Sequence, residues 1–278
     1  MAAPFEPLFL DAGPGRAGQR FAVHHRPQGG TLRALVVYVH PFAEEMNKSR
    51  RMAALASRAL AAQGCAVLQI DLLGCGDSSG DFADASWAEW QADVLLAVQW
   101  LRAQHGGDTP LWLWGHRAGA LLASAAAARL GETAHLLLWQ PPAQGATVLQ
   151  QFLRLKAAAD LAGGGKGVVE GLKQALAAGQ TVPVAGYDLA PALALPLGQA
   201  TLAAPAAASR VVWLETSTRP EPALLPASRS LVDRWLAAGT DVRAQAVPGP
   251  AFWQTTEIED APALVAATAA AVLDEALA

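Results

Sequence analysis

The sequence predicts an α/β fold with a mostly parallel central sheet, helices on both faces and a helical cap insertion. Between residues 32 and 139, short apolar segments alternate with longer segments of helical periodicity. This alternation is typical of a parallel sheet whose strands are joined by right-handed crossovers. The most informative unit is LWLWGHRAGALLASAAAA at residues 111–128, which reads as a strand, a glycine-bounded turn and an alanine-rich helix.

One domain with an insertion accounts for the 278 residues. We expect residues 1–140 and 206–278 to form the core and residues 141–205 to form the cap insertion, because the alternation of strand and helix stops there. The expected cap contains a glycine triplet at 163–165, a helix at 168–178, a short strand pair around 182–189 and an Ala-, Leu- and Pro-rich run after residue 191. The core then resumes with a strand at 211–214, a helix at 227–238, a strand at 242–247 and a helix at 261–277.

Near the amino terminus, strands at 21–25 and 32–40 flank the turn sequence PQGG at 27–30. We therefore expect antiparallel strands at one edge of the sheet. The second segment, LRALVVYVH, is nearly continuously apolar, as a strand covered on both faces should be. The elements that follow are a helix at 47–63 closed by a glycine, a strand at 66–70, a helix at 87–104 opened by the capping-box sequence SWAE, and a strand at 134–139.

Composition excludes several classes of protein. Hydrophobic residues make up 53% and charged residues 16% of the chain, which indicates a globular protein rather than a disordered one. The net charge is −4 and the basic residues are scattered, so we expect no nucleic-acid partner. No apolar run reaches the ~18 residues of a membrane span. The amino terminus lacks a basic region ahead of an apolar one, so a cytoplasmic location is expected.

Cysteine and histidine usage gives no sign of a metal site or a cofactor. Cys65 and Cys75 are too few for a disulfide framework and have no partner at zinc spacing. We expect no metal and no cofactor.

The turn inside residues 111–128 reads Gly115-His116-Arg117-Ala118-Gly119. It has the spacing of the G-x-S-x-G nucleophile elbow, in which a serine stands on a strained bend between strand and helix and the glycines keep Cβ atoms out of it. Here Arg117 occupies the nucleophile position. A guanidinium stays protonated and cannot attack a carbonyl, so the sequence predicts that the bend is kept while its chemistry is changed.

The order of elements, the elbow and the late insertion resemble the α/β-hydrolase superfamily over nearly the whole chain. More narrowly, HPFAEEMNKSRR at 40–51 and DLLGCGDSSG at 71–80 resemble the exosortase A system-associated hydrolase type 2 family. That resemblance implies a bacterial gene neighbourhood of exopolysaccharide synthesis and carboxyl-terminal protein sorting. The family is called hydrolase by its fold, and the fold alone does not settle activity.

A serine hydrolase of this superfamily needs Ser, acid and His in that chain order. The acid is expected on the strand–loop unit after the cap, where Arg219 falls and Glu215 lies too close to the strand end. The histidine is expected after the last strand, but no histidine follows His135. Ser-His-Asp hydrolysis is therefore not expected, and Arg117→Ser alone should recover little activity.

The first functional hypothesis is binding of a small acidic or acyl-bearing molecule, or of a protein partner, under the cap. Backbone amides of Phe42 and Ala118 are the candidate oxyanion hole, because side-chain replacement leaves amides in place. Arg117, with neighbouring His116 and Glu44, completes the candidate ligand site and suits an anion. The competing interpretation pairs Arg117 internally with Glu44, with Glu45 or with Glu215, since a buried guanidinium needs a partner.

The second hypothesis is an active hydrolase or acyltransferase with a non-standard catalytic set. His40 ends a strand and could act as a base with Asp71, Asp77 or Glu44. Each of these residues also has a structural interpretation, in which His40 fixes its loop and the aspartates bond to nearby backbone amides. A third and weaker option is a structural partner protein that uses its tryptophan-rich surface.

Overall fold

The structure is a computed structural model that describes residues 4–159, 167–206 and 208–273. The described part of the chain contains ten strands, and eight of them form one large sheet. The strands are β1 (Phe5–Asp11), β2 (Gln19–His25), β3 (Ala34–Val39), β4 (Cys65–Ile70), β5 (Leu111–His116), β6 (Ala134–Trp139), β7 (Val182–Val184), β8 (Tyr187–Leu189), β9 (Arg210–Ser217) and β10 (Asp241–Pro248). All except β7 and β8, which form a separate hairpin, belong to the large sheet in the order β1-β2-β4-β3-β5-β6-β9-β10.

Helices cover both faces of this sheet. They are α1 (Glu44–Ala62), α2 (Trp87–His105), α3 (Ala118–Ala127), α4 (Gly145–Ala159), α5 (Val168–Ala177), α6 (Pro191–Gln199), α7 (Pro226–Ala237) and α8 (Pro262–Val272), with a short 3₁₀ turn at Phe82–Asp84. Val37 of β3 packs in one hydrophobic cluster with α2, α3 and α7, while its neighbour Val36 packs in another with α1 and α8. The two-sided core confirms the predicted α/β fold with a mostly parallel sheet.

Strand pairing at the amino-terminal edge differs in detail from the expectation. The antiparallel edge is present, but it consists of β1 and β2, and β1 had no counterpart in the sequence interpretation. β2 and β3, which flank residues 27–30, are not neighbours, because β4 lies between them. All six residues of β3 are buried, so it takes a central place in the sheet that a local turn signal does not specify.

Several helix bounds differ by a few residues from those predicted. The helix expected at 47–63 begins at Glu44, so Glu44 and Glu45 both lie in the first turn of α1. Half of the predicted capping box of α2 is present: the Glu89 amide donates to the Ser86 hydroxyl at 3.1 Å, whereas the Glu89 carboxylate accepts from Arg16 Nε at 2.9 Å. The expected glycine triplet at 163–165 and the end of the helix expected at 261–277 lie outside the described residues.

Between β6 and β9 the chain forms α4, α5, the β7–β8 hairpin and α6 instead of a simple crossover. Helices α4 and α6 approach closely, since a Cβ added at Gly145 would overlap the Leu197 carbonyl oxygen. The segment also returns to its own start, where Gln144 and Thr201 form an isolated bridge. It places Gln151 and Phe152 of α4 beside the elbow. No helix among the described residues is long and apolar enough to cross a membrane.

The elbow joins β5 to α3 through a strained residue. Arg117 has φ 52° and ψ −123°, a conformation that side-chain-bearing residues rarely adopt. A Cβ at Gly119 would overlap the carbonyl oxygens of Val39 and His40, and one at Gly115 would overlap the backbone of Ala120. The close packing of α3 on the end of β3 therefore requires Gly119, and its close packing on β5 requires Gly115.

We predict that Gly119→Ala lowers the free energy of unfolding by about 2–3 kcal/mol, because overpacking against backbone cannot be relieved by a rotamer change. The matched control is Gly171→Ala on the exposed side of α5, where an added Cβ meets nothing within 4 Å. That control should gain up to about 1 kcal/mol from helix propensity. Urea denaturation of both variants measures the difference, and equal stabilities would contradict the packing described for the elbow.

Candidate functional site

The side chain of Arg117 is held from three directions. Its Nη2 donates to Glu45 Oε1 and to Gln151 Oε1, both at 3.1 Å, and its Nε donates to Glu45 Oε1 at 3.2 Å. The guanidinium carbon also lies 5.6 Å from the centroid of the Trp253 ring, within cation–π range. Arg117 thus links the elbow to α1, to α4 and to the loop after β10.

Of the three internal partners that the sequence left open, the structure shows Glu45. The side chains of Arg117 and Glu45 are 12% and 13% exposed, so this ion pair is largely out of water. Glu215 is engaged elsewhere, because its carboxylate accepts from Trp213 Nε1 at 2.9 Å and from the Leu225 amide at 2.8 Å. Arg117 therefore carries a charge that the protein already neutralises.

A cavity of about 350 Å³ opens beside this ion pair. Its walls combine charged, amide and aromatic groups: Phe42, Glu44, Glu45, Lys48, Arg117, Val148, Gln151, Phe152, Leu155, Trp253 and Gln254. The volume falls at the lower end of the range of small-molecule sites. Three of the candidate ligand residues, Phe42, Glu44 and Arg117, thus meet at one cavity.

Glu44 differs from Glu45 in having no ion-pair partner among the described residues. Its Oε2 is buried without a hydrogen-bond partner there. Burial raises the pKa of the Glu44 carboxyl and neighbouring Glu45 raises it further, against the lowering effects of a hydrogen bond from its own backbone N–H, of Lys48 and of Arg117. Burial also raises the pKa of Glu45, against the opposing effect of Arg117. The Oε2 atom of Glu44 is therefore left for another partner.

The candidate oxyanion amides are both unused. Neither the Phe42 nor the Ala118 N–H donates a hydrogen bond to any described residue. Ala118 is the first residue of α3, where no earlier helical carbonyl is in reach. Both residues line a second, much smaller cavity of about 10 Å³. Two buried donors therefore remain next to an enclosed apolar space.

His40 lies at the floor of that small cavity with both ring nitrogens engaged. Its Nδ1 is 2.8 Å from the Pro41 carbonyl oxygen, and its Nε2 accepts from the Leu72 amide at 3.4 Å. Burial lowers the pKa of His40, with Asp71 acting in the opposite direction. The hydrogen bonds and the lowered pKa together describe a neutral imidazole that fixes the end of β3 to the following loop.

Asp71 and Asp77 shape the loop after β4. The Asp71 carboxylate accepts from Arg50 Nη2 at 3.0 Å and from the Asp77 amide at 3.1 Å. The Ser78 hydroxyl donates to the Asp71 carbonyl at 2.6 Å. Neither aspartate lines the 350 Å³ cavity. The structure brings Glu44 and Arg117 together there, but it leaves His40, Asp71 and Asp77 in a separate hydrogen-bonded layer.

His116 is fully buried beneath the elbow. Its ring packs against Trp139, Phe252 and Trp253, with centroids 5.6, 5.3 and 5.4 Å away. Burial, and secondarily Arg117, lowers the pKa of His116 well below its ordinary value, so the ring is neutral. Its contact with Trp253 makes it a support for the ring that covers Arg117.

At the three positions where a serine hydrolase of this fold carries its Ser, acid and His, this chain has other residue types. Arg117 stands at the elbow, the exposed Arg219 follows β9, and Trp253 lies in the loop after β10 where the base would come from. Trp253 and Gln151 were not predicted as partners of Arg117. The position of Trp253 after the last strand could have indicated that it lies near the elbow. The sequence around Gln151 contains no such signal. The described residues contain no cluster of three or more His, Cys, Asp or Glu that could hold a metal ion.

Comparison with known proteins agrees with the fold. The family model for serine aminopeptidase S33 matches residues 30–163, somewhat less than half of the chain. The human protein ABHD12B is 34% identical over 98 residues, which are 35% of this chain. The chain spans only 25% of the length of that relative, so the match carries no activity with it.

Solved structures of hydrolases cover nearly the whole chain. Est1E from Butyrivibrio proteoclasticus, solved with ferulic acid, superposes with a TM-score of 0.69 at 16% identity over 96% of this chain and 98% of its own. A carboxyl esterase from Bacillus coagulans, solved with glycerol, gives 0.59 at 16% identity over 89% and 91%. XC6422 from Xanthomonas campestris, described as a serine hydrolase without lid, gives 0.58 at 17% over 99% and 95%. At such identities the likeness shows the fold alone.

We predict that Glu45→Gln lowers the free energy of unfolding at neutral pH by about 1–3 kcal/mol, because Arg117 loses the charge that compensates its burial. The matched variant is Glu44→Gln, one residue away in the same helical turn. It should not destabilise the protein at neutral pH, since it removes a carboxylate whose charge burial disfavours. Urea denaturation distinguishes the two, and an equal loss in both variants would contradict the pairing described here.

The same variants test the pH dependence. Because the pKa of Glu44 is raised above its ordinary value of 4.5, the folded protein binds more protons there than the unfolded chain. The contribution of Glu44 to stability therefore falls as pH rises from the ordinary value through the raised one. Unfolding free energies measured from about pH 5 to about pH 8 should show a shallower fall in Glu44→Gln than in wild type. Parallel curves would rule out this assignment.

Proposed function

We propose that this chain, an α/β-hydrolase-fold protein with arginine at the nucleophile position, binds a small acyl-bearing molecule and does not hydrolyse it by Ser-His-Asp chemistry. One observation carries the proposal: the buried N–H groups of Phe42 and Ala118 have no hydrogen-bond partner among the described residues. Buried amides without partners are costly, and an acyl carbonyl oxygen is the acceptor that such a pair suits.

Loss of the usual reaction follows from the side chains at the elbow. Arg117 has no lone pair to attack a carbonyl, because the guanidinium stays protonated. Trp253 covers it where an imidazole would have to reach. A retained oxyanion hole without nucleophile and base gives only about 10³–10⁴ over water, which is far below an ordinary hydrolase. Binding is therefore the function that these residues support.

The acyl carbonyl is a better ligand group than a carboxylate. An acidic ligand aimed at Arg117 would have to compete with Glu45 and Gln151, which already hold Nη2. It would also meet the carboxylate of Glu44 in the same cavity. A neutral carbonyl meets neither obstacle. Binding of an acidic ligand remains the second form of the proposal. In that case Lys48, which lines the cavity, would supply the positive charge.

An active hydrolase or acyltransferase with His40 as base ranks below binding. Both His40 nitrogens are used in fixing the loop, and burial lowers the pKa of the ring. Catalysis would require His40 to give up one of these hydrogen bonds. No serine, cysteine or carboxylate oxygen is joined to His40 by a hydrogen bond among the described residues, so it has no nucleophile to activate.

The segment 141–205 acts as a cap on the core formed by 1–140 and 206–278 in this proposal. Its helix α4 supplies Gln151 to Arg117 and Val148, Phe152 and Leu155 to the cavity wall. These contacts support the interpretation as a cap that helps to select the ligand. A protein partner instead of a small molecule would have to use the same opening.

The biological setting rests on the sequence motifs alone. The resemblance of residues 40–51 and 71–80 to the exosortase A system-associated hydrolases supports a role near exopolysaccharide synthesis and protein sorting. We also propose a cytoplasmic location. In that setting the bound molecule would be an acylated compound of the polysaccharide machinery.

We predict that Ala118→Pro weakens binding of phenyl acetate about three- to tenfold, because proline removes the N–H but is tolerated at the first residue of a helix. Phenyl acetate offers one carbonyl and an aromatic ring for the 350 Å³ cavity. The matched control is Val168→Pro, which places proline at the first residue of α5, away from the cavity. Calorimetric titration measures both, with circular dichroism to verify folding. Equal affinities in a folded Ala118→Pro variant would refute the role of this amide.

We predict that Arg117→Ser does not create an esterase. Serine alone lacks a base and an acid, so phenol release from phenyl acetate should stay within about tenfold of the rate with wild-type protein. Phenol absorbance over time is the readout, and wild type provides the reference. A serine variant that turns over like a common esterase would show that a functional base is present, which would overturn the proposal.

A further inference from the structure

The elbow lies between two cavities of very different size. The cavity on the side of Arg117 measures about 350 Å³, whereas the one on the side of Ala118 measures about 10 Å³. Phe42 lines both. A carbonyl oxygen held by the amides of Phe42 and Ala118 would therefore have one substituent facing each cavity. The size difference indicates which substituent can be large.

The small cavity is lined by mostly apolar residues from three helices and two loops. Its lining is His40, Phe42, Leu72, Trp87, Trp90, Ala118, Gly119, Leu122 and Leu197. Every one of these residues is buried, and Trp90 is fixed by a hydrogen bond from Nε1 to the Leu73 carbonyl at 3.0 Å. The polar atoms of His40 are used in the hydrogen bonds described above. The chamber is thus apolar and has little freedom to widen.

A void of about 10 Å³ holds roughly one water-sized probe. A methyl group, the smallest alkyl substituent, is the one nearest to that size. A longer alkyl chain would need Leu197, Trp87 or Trp90 to leave its packed position, and forcing extra methylenes into a packed interior is destabilising.

We propose that the protein selects acetyl-sized acyl groups, with the methyl group in the small chamber and the alcohol or amine part of the ligand in the large cavity. The large cavity suits that part, because it carries the unpartnered Glu44 oxygen, Gln254 and the aromatic walls of Phe152 and Trp253. Leu197 of α6 is the residue that sets the length limit from the cap side. This inference rests on the proposed function, since it needs the amide pair to hold the carbonyl.

The test is a chain-length series of phenyl acetate, propanoate, butanoate and hexanoate, titrated by calorimetry. Wild type should bind the acetate best and lose about tenfold or more in affinity by the butanoate, as overpacking requires. Leu197→Ala should move the optimum to the butanoate by removing the side chain that ends the chamber. The matched control is Leu193→Ala, an equally buried leucine of the same helix that does not line the chamber. The control should keep the acetate optimum.

The outcomes separate this inference from the proposed function. If no phenyl ester binds wild type, the proposed function fails. If the esters bind equally well at all lengths, or if the optimum stays at acetate in a folded Leu197→Ala variant, the size selection fails while the binding function stands. Should Leu197→Ala not fold, Trp87→Phe opens the chamber from another wall, and an unchanged length preference in that variant overturns the inference.

Discussion

The ion pair between Arg117 and Glu45 is the interaction on which this site depends. It places a permanent cation on a strained bend that the fold otherwise uses for a nucleophile, and it compensates that cation inside a largely dry environment. Trp253 and Gln151 complete the contacts of the guanidinium, so that α4 and the loop after β10 are joined at one residue. A buried arginine is tolerated only with such partners, because an uncompensated charge in this position would cost several kcal/mol.

The consequence is a site with two kinds of polar group. The side-chain charges of Arg117 and Glu45 satisfy each other, whereas the backbone amides of Phe42 and Ala118 and the Oε2 atom of Glu44 do not find partners among the described residues. Catalytic residues are side chains and are lost by substitution, but an amide pair persists as long as the backbone keeps its path. Gly115 and Gly119 maintain that path through close packing of α3 on β5 and on the end of β3. The proposed binding function therefore does not depend on catalytic side chains.

Much of the fold was predictable because it rests on local patterns. The apolar strands, the capping box at Ser86 and the elbow glycines identify their elements directly. The strand pairing at the sheet edge was not predictable. Residues 27–30 indicate a turn, but they do not specify that β4 lies between β2 and β3. Within the site, the position of Arg117 was predictable from the elbow, and the absence of a late histidine was visible. The pairing of Arg117 with Glu45 instead of Glu44 was not predictable. The two glutamates are adjacent in one helical turn and differ only in the direction of their side chains, and tertiary packing decides which of them faces Arg117.

The most direct test of the account is the amide resonances of Phe42 and Ala118 in ¹⁵N-labelled protein titrated with phenyl acetate. Hydrogen bonding to a carbonyl oxygen should move both resonances in a saturable manner, with the ester recovered intact. Amides that stay in place while the ester binds elsewhere, or an ester that is consumed at an enzymatic rate, would contradict the claim that this elbow holds acyl groups without cleaving them.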